Sequence, residues 1–212
     1  EIYQVNLSHT CVLGGVNSPF ALYQQLLQKN PVPFSAFLSI DSTFSIVSLS
    51  PERFLSYDNK KLEARPIKGT VPRGTNEKED ALLKEQLLAS EKERAELLMI
   101  TDLMRNDLGK ISKPGTVETI EFSTCEAYAA VYHLHSIIHS VPQDHQHPID
   151  LVRACFPGGS ITGCPKLRSM EVIDAIEQRA RGIYTGAIGY FTASGAFDFN
   201  IAIRTLAVVD GD

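Results

Sequence analysis

Tryptophan is absent from the 212 residues, methionine occurs three times and cysteine four times. The cysteines (Cys11, Cys125, Cys155, Cys164) show no Cys-x-x-Cys spacing, and a chain of this length can bury a core without covalent staples, so reduced thiols in a cytoplasm are expected. No apolar run approaches the roughly 18 residues that a membrane span needs. No basic-then-apolar leader opens the chain, so no export signal is expected. Basic residues are outnumbered, 20 Lys and Arg against 25 Asp and Glu, for a formal charge of −5. That balance provides no field to hold a nucleic-acid backbone or an anionic membrane. What remains is the profile of an ordinary globular protein, 43% hydrophobic and 21% charged, with 14 glycines and 11 prolines.

The first residues alternate as a strand does, with Ile2, Tyr3, Val5 and Leu7 set among Gln4, Asn6 and Ser8. From Pro33 to about Ile67, short alternating stretches predict a run of antiparallel strands. Asn76 followed by Glu79 predicts a capping box. Leu83, Leu87 and Leu88, then Leu97, Ile100, Met104 and Leu108, continue at helical spacing to a stop at Gly109. Tyr128 to Ser140 alternates again as a strand, Pro142 to Pro148 reads as an exposed loop, and Ile149 to Phe156 as a short helix. A glycine-rich turn from Pro157 to Pro165 then feeds a helix whose buried face is expected to be Leu167, Met170, Ile173 and Ile176. Gly186 to Thr192 and one long strand from Phe197 to Val209 form a hairpin across Ala193-Ser194-Gly195. Asp210-Gly211 predicts a further two-residue turn, and both ends read as cut through a strand. Without regular βαβ alternation the class is α+β.

Several side chains carry candidate chemistry, each with a plainer reading beside it. The glycine-rich turn at 157–163, followed by Lys166 and Arg168, could capture an anion through free backbone N–H groups or be a structural turn. It is not a Walker A loop. His133, His135 and His139 share one face of a strand, as a zinc site requires, but no carboxylate stands at a matching spacing, and solvated or core-edge histidines are the preferred reading. Only His133 is retained, as a substrate contact. Glu96 borders an apolar stretch and could turn inward, where one carboxylate plus water and a substrate oxygen would suit Mg²⁺. Lys68 ends a strand that reads as buried. Desolvation lowers a lysine's pKa and makes it a nucleophile, whereas a snorkelling lysine is the plainer account. Glu52 and Arg204 are similar cases, and an arginine at such a place can clamp a carboxylate with its fork.

Six stretches in order, Tyr3 to Ser8, Ser50 to Phe54, Pro66 to Thr70, Asp102 to Gly109, Phe156 to Pro165 and Ile203 to Thr205, resemble the chorismate-utilising enzymes and cover nearly the whole chain. Within them the similarity is greatest to the aminodeoxychorismate synthase branch. Isochorismate and salicylate synthases carry a water-activating lysine where this chain has Gln4, and anthranilate synthases usually have alanine where Lys68 stands. The resemblance therefore implies amination of chorismate at C4, with anthranilate formation or a non-catalytic remnant as alternatives. It implies Lys68 as covalent nucleophile, Glu52 as general acid or base, and Glu96 as a Mg²⁺ ligand. Gly69, Thr70, His133, Thr162, Gly163, Tyr184 and Arg204 would contact the substrate. It further implies ammonia from a glutamine amidotransferase subunit or domain. The implied architecture is a four-layer α/β/β/α core with orthogonally packed antiparallel sheets, incomplete at both ends. Residues 1–212 would form one partial catalytic domain, lacking a second glutamate ligand and expected to turn over poorly by itself.

Overall fold

The alternating stretch from Phe34 onward folds as five strands, as a side-chain period of two requires. In the computed structural model, which describes residues 1–209, strand β1 (Gln4–Val5) and helix α1 (Pro19–Lys29) precede them. The five are β2 (Phe34–Ser39), β3 (Phe44–Ser50), β4 (Arg53–Tyr57), β5 (Leu62–Arg65) and β6 (Ile67–Pro72). Helices α2 (Glu77–Ala89) and α3 (Glu91–Gly109) lead to β7 (Glu118–Ala127) and β8 (Val131–Ser140). Next come α4 (Pro148–Cys155), the single turn α5 (Gly159–Thr162), β9 (Gly163–Cys164) and α6 (Lys166–Glu177). The hairpin of β10 (Gly189–Phe191) and β11 (Phe197–Asn200) and the strand β12 (Thr205–Val209) complete the described chain. A seven-stranded sheet runs β10-β11-β4-β5-β8-β6, with β7 also paired to β8. A three-stranded sheet runs β12-β3-β2, and β1 pairs with β9.

Every registered pairing is antiparallel, so the α+β class stands. Helix α3 lays Ile100, Met104 and Leu108 against Phe54, Leu62 and Ile138 of the large sheet. Leu87 and Leu97 close over Tyr132 and Leu134. Tyr23, Leu26 and Leu27 of α1 cover Val47, Leu49 and Val208 of the small sheet. Each of these sheets therefore carries helix on one face, the outer layers of the implied architecture. Full burial of such side chains contributes about 1.5–3 kcal/mol each. No helix among the described residues is long and apolar enough to cross a membrane.

Local chemistry explains where the structure departs from the periodic pattern. The helical run after Asn76 is two helices, because Ser90 takes an extended ψ of 106° and its hydroxyl oxygen accepts the Glu93 amide at 3.3 Å as a new N-cap. Asn76 caps α2 as expected, accepting the Glu79 amide at 3.0 Å. The Glu79 carboxylate turns to Thr75 instead of closing a reciprocal box. Gly109 ends α3 as its last residue, with right-handed Lys110 after it in place of a left-handed glycine cap.

The expected apolar face of α6 is not buried: Leu167 is 73% and Ile176 59% exposed. The buried residue is Ser169, whose hydroxyl donates to the Gln4 carbonyl at 3.1 Å, a close helix-to-strand approach that a small polar side chain permits. The long strand from Phe197 to Val209 is also two strands, in different sheets. The register shifts between Phe199 and Asn200, the Asn200 amide side chain binds Ile188 N and Phe34 O at 2.9 Å each, and Arg204 takes a left-handed φ of 50°. The expected turn at Asp210-Gly211 lies outside the described residues.

Candidate active site

A bulge in β6 opens the site. Ile67 stands opposite His135 and Thr70 opposite His133, so Lys68 and Gly69 together face Leu134 alone. An extra residue bends its strand and re-aims the neighbouring side chain. Gly69 makes this possible at φ +85°, where a Cβ would meet Glu93 Cβ at 3.2 Å and Leu134 Cδ1 at 3.3 Å. The half-buried Lys68 reaches across to the N-terminal segment and the glycine-rich loop, donating to Ser160 O at 3.3 Å and Asn6 Oδ1 at 3.5 Å.

The amine lines a cavity of about 410 Å³. Glu52, Gly69, Thr70, His133, Tyr184 and Arg204 line it too, so seven of the residues implied by the resemblance meet at one place. Glu52 sits in the tight link between β3 and β4, where Ser50 Oγ accepts its amide at 3.2 Å and Ile201 N donates to its carbonyl at 3.0 Å. Its side chain is buried, and that burial pushes the carboxyl up to about 7, against the Ser160 hydroxyl, the Lys68 charge and the Ile67 amide. His133 is buried, and its Nδ1 shares a 2.8 Å hydrogen bond with Thr70 Oγ1. Burial and the Arg204 charge lower its pKa, and its Nε2 has no hydrogen-bond partner. The imidazole is thus neutral near pH 7, with one polar atom unsatisfied in a cavity wall.

Thr162, Gly163 and Glu96 do not line that cavity. The Thr162 hydroxyl donates to Gly158 O at 3.0 Å within its own loop. Gly163 lets β9 approach β1, because a Cβ there would fall 2.1 Å from the Gln4 carbonyl oxygen. Both shape the loop from behind. Glu96, on α3, shares Lys92 with Glu93 at 3.7 and 3.9 Å and lies 3.5 Å from Gln4 Nε2. Gln4 Oε1 is buried without a partner. Carboxylates beside an unsatisfied amide oxygen are hard donors, and they suit Mg²⁺, which takes one or two carboxylates and keeps several waters.

The histidine row does not converge. His135 contacts Arg65 Nη2 at 3.2 Å and Glu121 at 3.4 Å, and His139 contacts Glu63 at 2.9 Å. Among the described residues no three His, Cys, Asp or Glu side chains gather as a metal site. Anion capture by the glycine-rich turn also loses its cations. Lys166 binds Asp107, Cys155 O and Pro157 O, while Arg168 binds Glu1 and Glu171. Asn6, Ser160 and Arg181 line the cavity without having been singled out from the sequence. Asn6 and Ser160 lie within the resembling stretches, so their position was a usable signal. Arg181 follows α6 in a connection with no periodic pattern.

The chain matches the family of chorismate binding enzymes over residues 1–212. It belongs to that family. Aminodeoxychorismate synthase component 1 of Escherichia coli (strain K12) is 45% identical over 211 residues, 100% of this chain and 46% of that protein. The chloroplastic aminodeoxychorismate synthase of Arabidopsis thaliana is 48% identical over 196 residues, 92% of this chain and 21% of that protein. The chain thus spans less than half the length of these relatives. Among solved structures, anthranilate synthase component I from Streptococcus pneumoniae TIGR4 is similar with a TM-score of 0.82 and 34% identity, over 92% of this chain and 42% of that one.

Proposed function

We propose that the complete protein aminates chorismate at C4 to give 4-amino-4-deoxychorismate, using ammonia from a glutamine amidotransferase subunit or domain. The observation that carries this reading is the bulge that turns Lys68 into the same cavity as Glu52, His133 and Arg204. Identity of 45% and 48% to relatives named for this product supports it. Four unpaired cysteines accord with a cytoplasmic setting.

Chorismate is a dianion, and each group has a role that its surroundings support. The exposed Arg204 fork and Tyr184 would hold a carboxylate. Glu52, poised near pH 7, takes a proton from the Lys68 ammonium and gives it to the departing ring hydroxyl, which leaves as water. The Lys68 nitrogen then bonds to C2 while the ring double bonds shift and the C4–O bond breaks. Ammonia forms the new C4–N bond as the C2–N bond to Lys68 breaks, returning the lysine. Neutral His133 can share a hydrogen bond through Nε2. Mg²⁺ held at Glu96 would supply positive charge to a substrate carboxylate.

The test incubates the complete protein with chorismate, Mg²⁺ and an ammonium salt, with products identified by mass spectrometry. Accumulation of 4-amino-4-deoxychorismate is expected. Anthranilate, which has lost pyruvate, would assign the site to the other branch. Lys68→Ala should lower turnover at least about 100-fold. Without ammonia, the unaltered protein should carry chorismate less one water on the Lys68 peptide, and an unmodified peptide would remove Lys68 from the covalent role.

A further inference from the structure

Arg181 also lines the cavity, where an arginine facing a dianion is expected to clamp a carboxylate. Its donors are already committed. Nε and Nη2 donate to both oxygens of Glu177 at 3.0 and 2.6 Å, Nη2 also donates to Asn6 O at 2.6 Å, and Nη1 to Ile161 O at 3.1 Å. Those four bonds occupy four of the five N–H groups of a guanidinium. The pair is withdrawn from solvent, with side chains 12% and 2% exposed. Glu177 in turn accepts the Ser8 amide and hydroxyl at 2.8 and 3.0 Å, and its hydrogen bond to Arg181 holds its carboxyl down at about 2. Arg204 differs: it is exposed, and among the described residues none accepts a hydrogen bond from its guanidinium.

The two carbonyls that Arg181 grips belong to the segments that hold Lys68. Asn6 Oδ1 accepts from the Lys68 amine, Asn6 Nδ2 donates to Ser160 O at 3.1 Å, and Ser160, beside Ile161, offers that same carbonyl to Lys68. We propose that Arg181 and Glu177 are positioning residues, which lock the N-terminal strand to the glycine-rich loop and thereby set where the Lys68 amine stands. Arg181 does not bind the substrate carboxylate. The assignment rests on the proposed chemistry for its kinetic consequence, but not for its geometric one.

The experiment compares Arg181→Gln, Arg181→Lys, Glu177→Gln and Arg204→Gln in the complete protein. Arg181→Gln and Glu177→Gln should each lower kcat by roughly tenfold or more while KM for chorismate stays within about twofold, and their double variant should be no worse than the stronger single. Arg204→Gln should raise KM by about tenfold or more. A KM rise in Arg181→Gln equal to that of Arg204→Gln, with kcat intact, overturns the proposal. A second readout does not depend on turnover. The acylation rate of Lys68, followed by peptide mass, should change at least about threefold in Arg181→Gln and in Glu177→Gln relative to exposed Lys92, because reactivity follows the amine's surroundings. If the unaltered protein turns over no chorismate yet this change appears, the substrate assignment fails and the brace stands. An unchanged Lys68 rate in any folded variant of the pair, Arg181→Lys included, overturns the brace.

Discussion

Lys166 and Asp107 form an ion pair beneath the glycine-rich loop, joining the start of α6 to the end of α3. The same ammonium donates to Cys155 O at 3.0 Å and Pro157 O at 2.7 Å, so all three of its protons have acceptors. The entry to the loop that carries Ser160 is fastened by this one side chain, at a point where Asp107 is buried.

Lys166→Met should therefore destabilise the protein by about 3 kcal/mol, the lower end for breaking a buried pair, since Lys110 still reaches Asp107 at 2.9 Å. Arg168→Met, two residues on, loses only exposed ion pairs with Glu1 and Glu171 and should leave the melting temperature unmoved. Equal melting shifts in the two variants would contradict the distinction.

Glu52 makes stability depend on pH in a particular direction. Its folded pKa, about 7, lies above the ordinary value of 4.5 because burial penalises the anion. Below 4.5 the group is protonated in both states and costs nothing. Between 4.5 and 7 the unfolded chain releases the proton and the folded one keeps it, so stability falls as pH rises, by about 3 kcal/mol in total. Urea unfolding at pH 4.5 and pH 8 should show that loss in the unaltered protein and not in Glu52→Gln. Parallel pH profiles for the two would refute the buried-acid assignment.

Gly69→Ala should cost about 1–3 kcal/mol, because alanine at φ +85° is strained and its methyl group would press on Glu93 and Leu134. If the bulge relaxes to avoid that strain, Lys68 rotates back toward the sheet, so lysine acylation and turnover should change together with melting. A variant as stable and as reactive as the unaltered protein would show that the bulge does not need glycine.

The strands from Phe34 to Arg65, the strand β8, the helix cap at Asn76 and the closing hairpin were legible from residue order, because each depends on neighbours a few positions apart, whereas β6 lies past the Ile67 at which the alternating run was expected to end. The break at Ser90 was not, since a serine inside an apolar-periodic run can continue a helix or cap a new one. Nor was the split of the last long strand, where Ile201 to Val209 is apolar apart from Arg204-Thr205, and where Asn200, bonded to Phe34 and Ile188, and the left-handed Arg204 mark the change of sheet. For the site, Glu52, Lys68, His133 and Arg204 could be named from the resemblance, as could Thr162 and Gly163, which lie outside the cavity's lining.

Residue order by itself determined the α+β class, most element positions and the family, because periodicity, caps and ordered motifs are local properties of the chain. Tertiary structure alone decided which of those groups share a cavity, that Arg181 is taken while among the described residues none accepts a hydrogen bond from Arg204, and that burial pushes the Glu52 carboxyl up to about 7. Desolvation and hydrogen-bond occupancy are sums over neighbours that lie far apart in sequence: Asn6 and Arg181 are 175 positions apart, and Lys68 and Ser160 are 92.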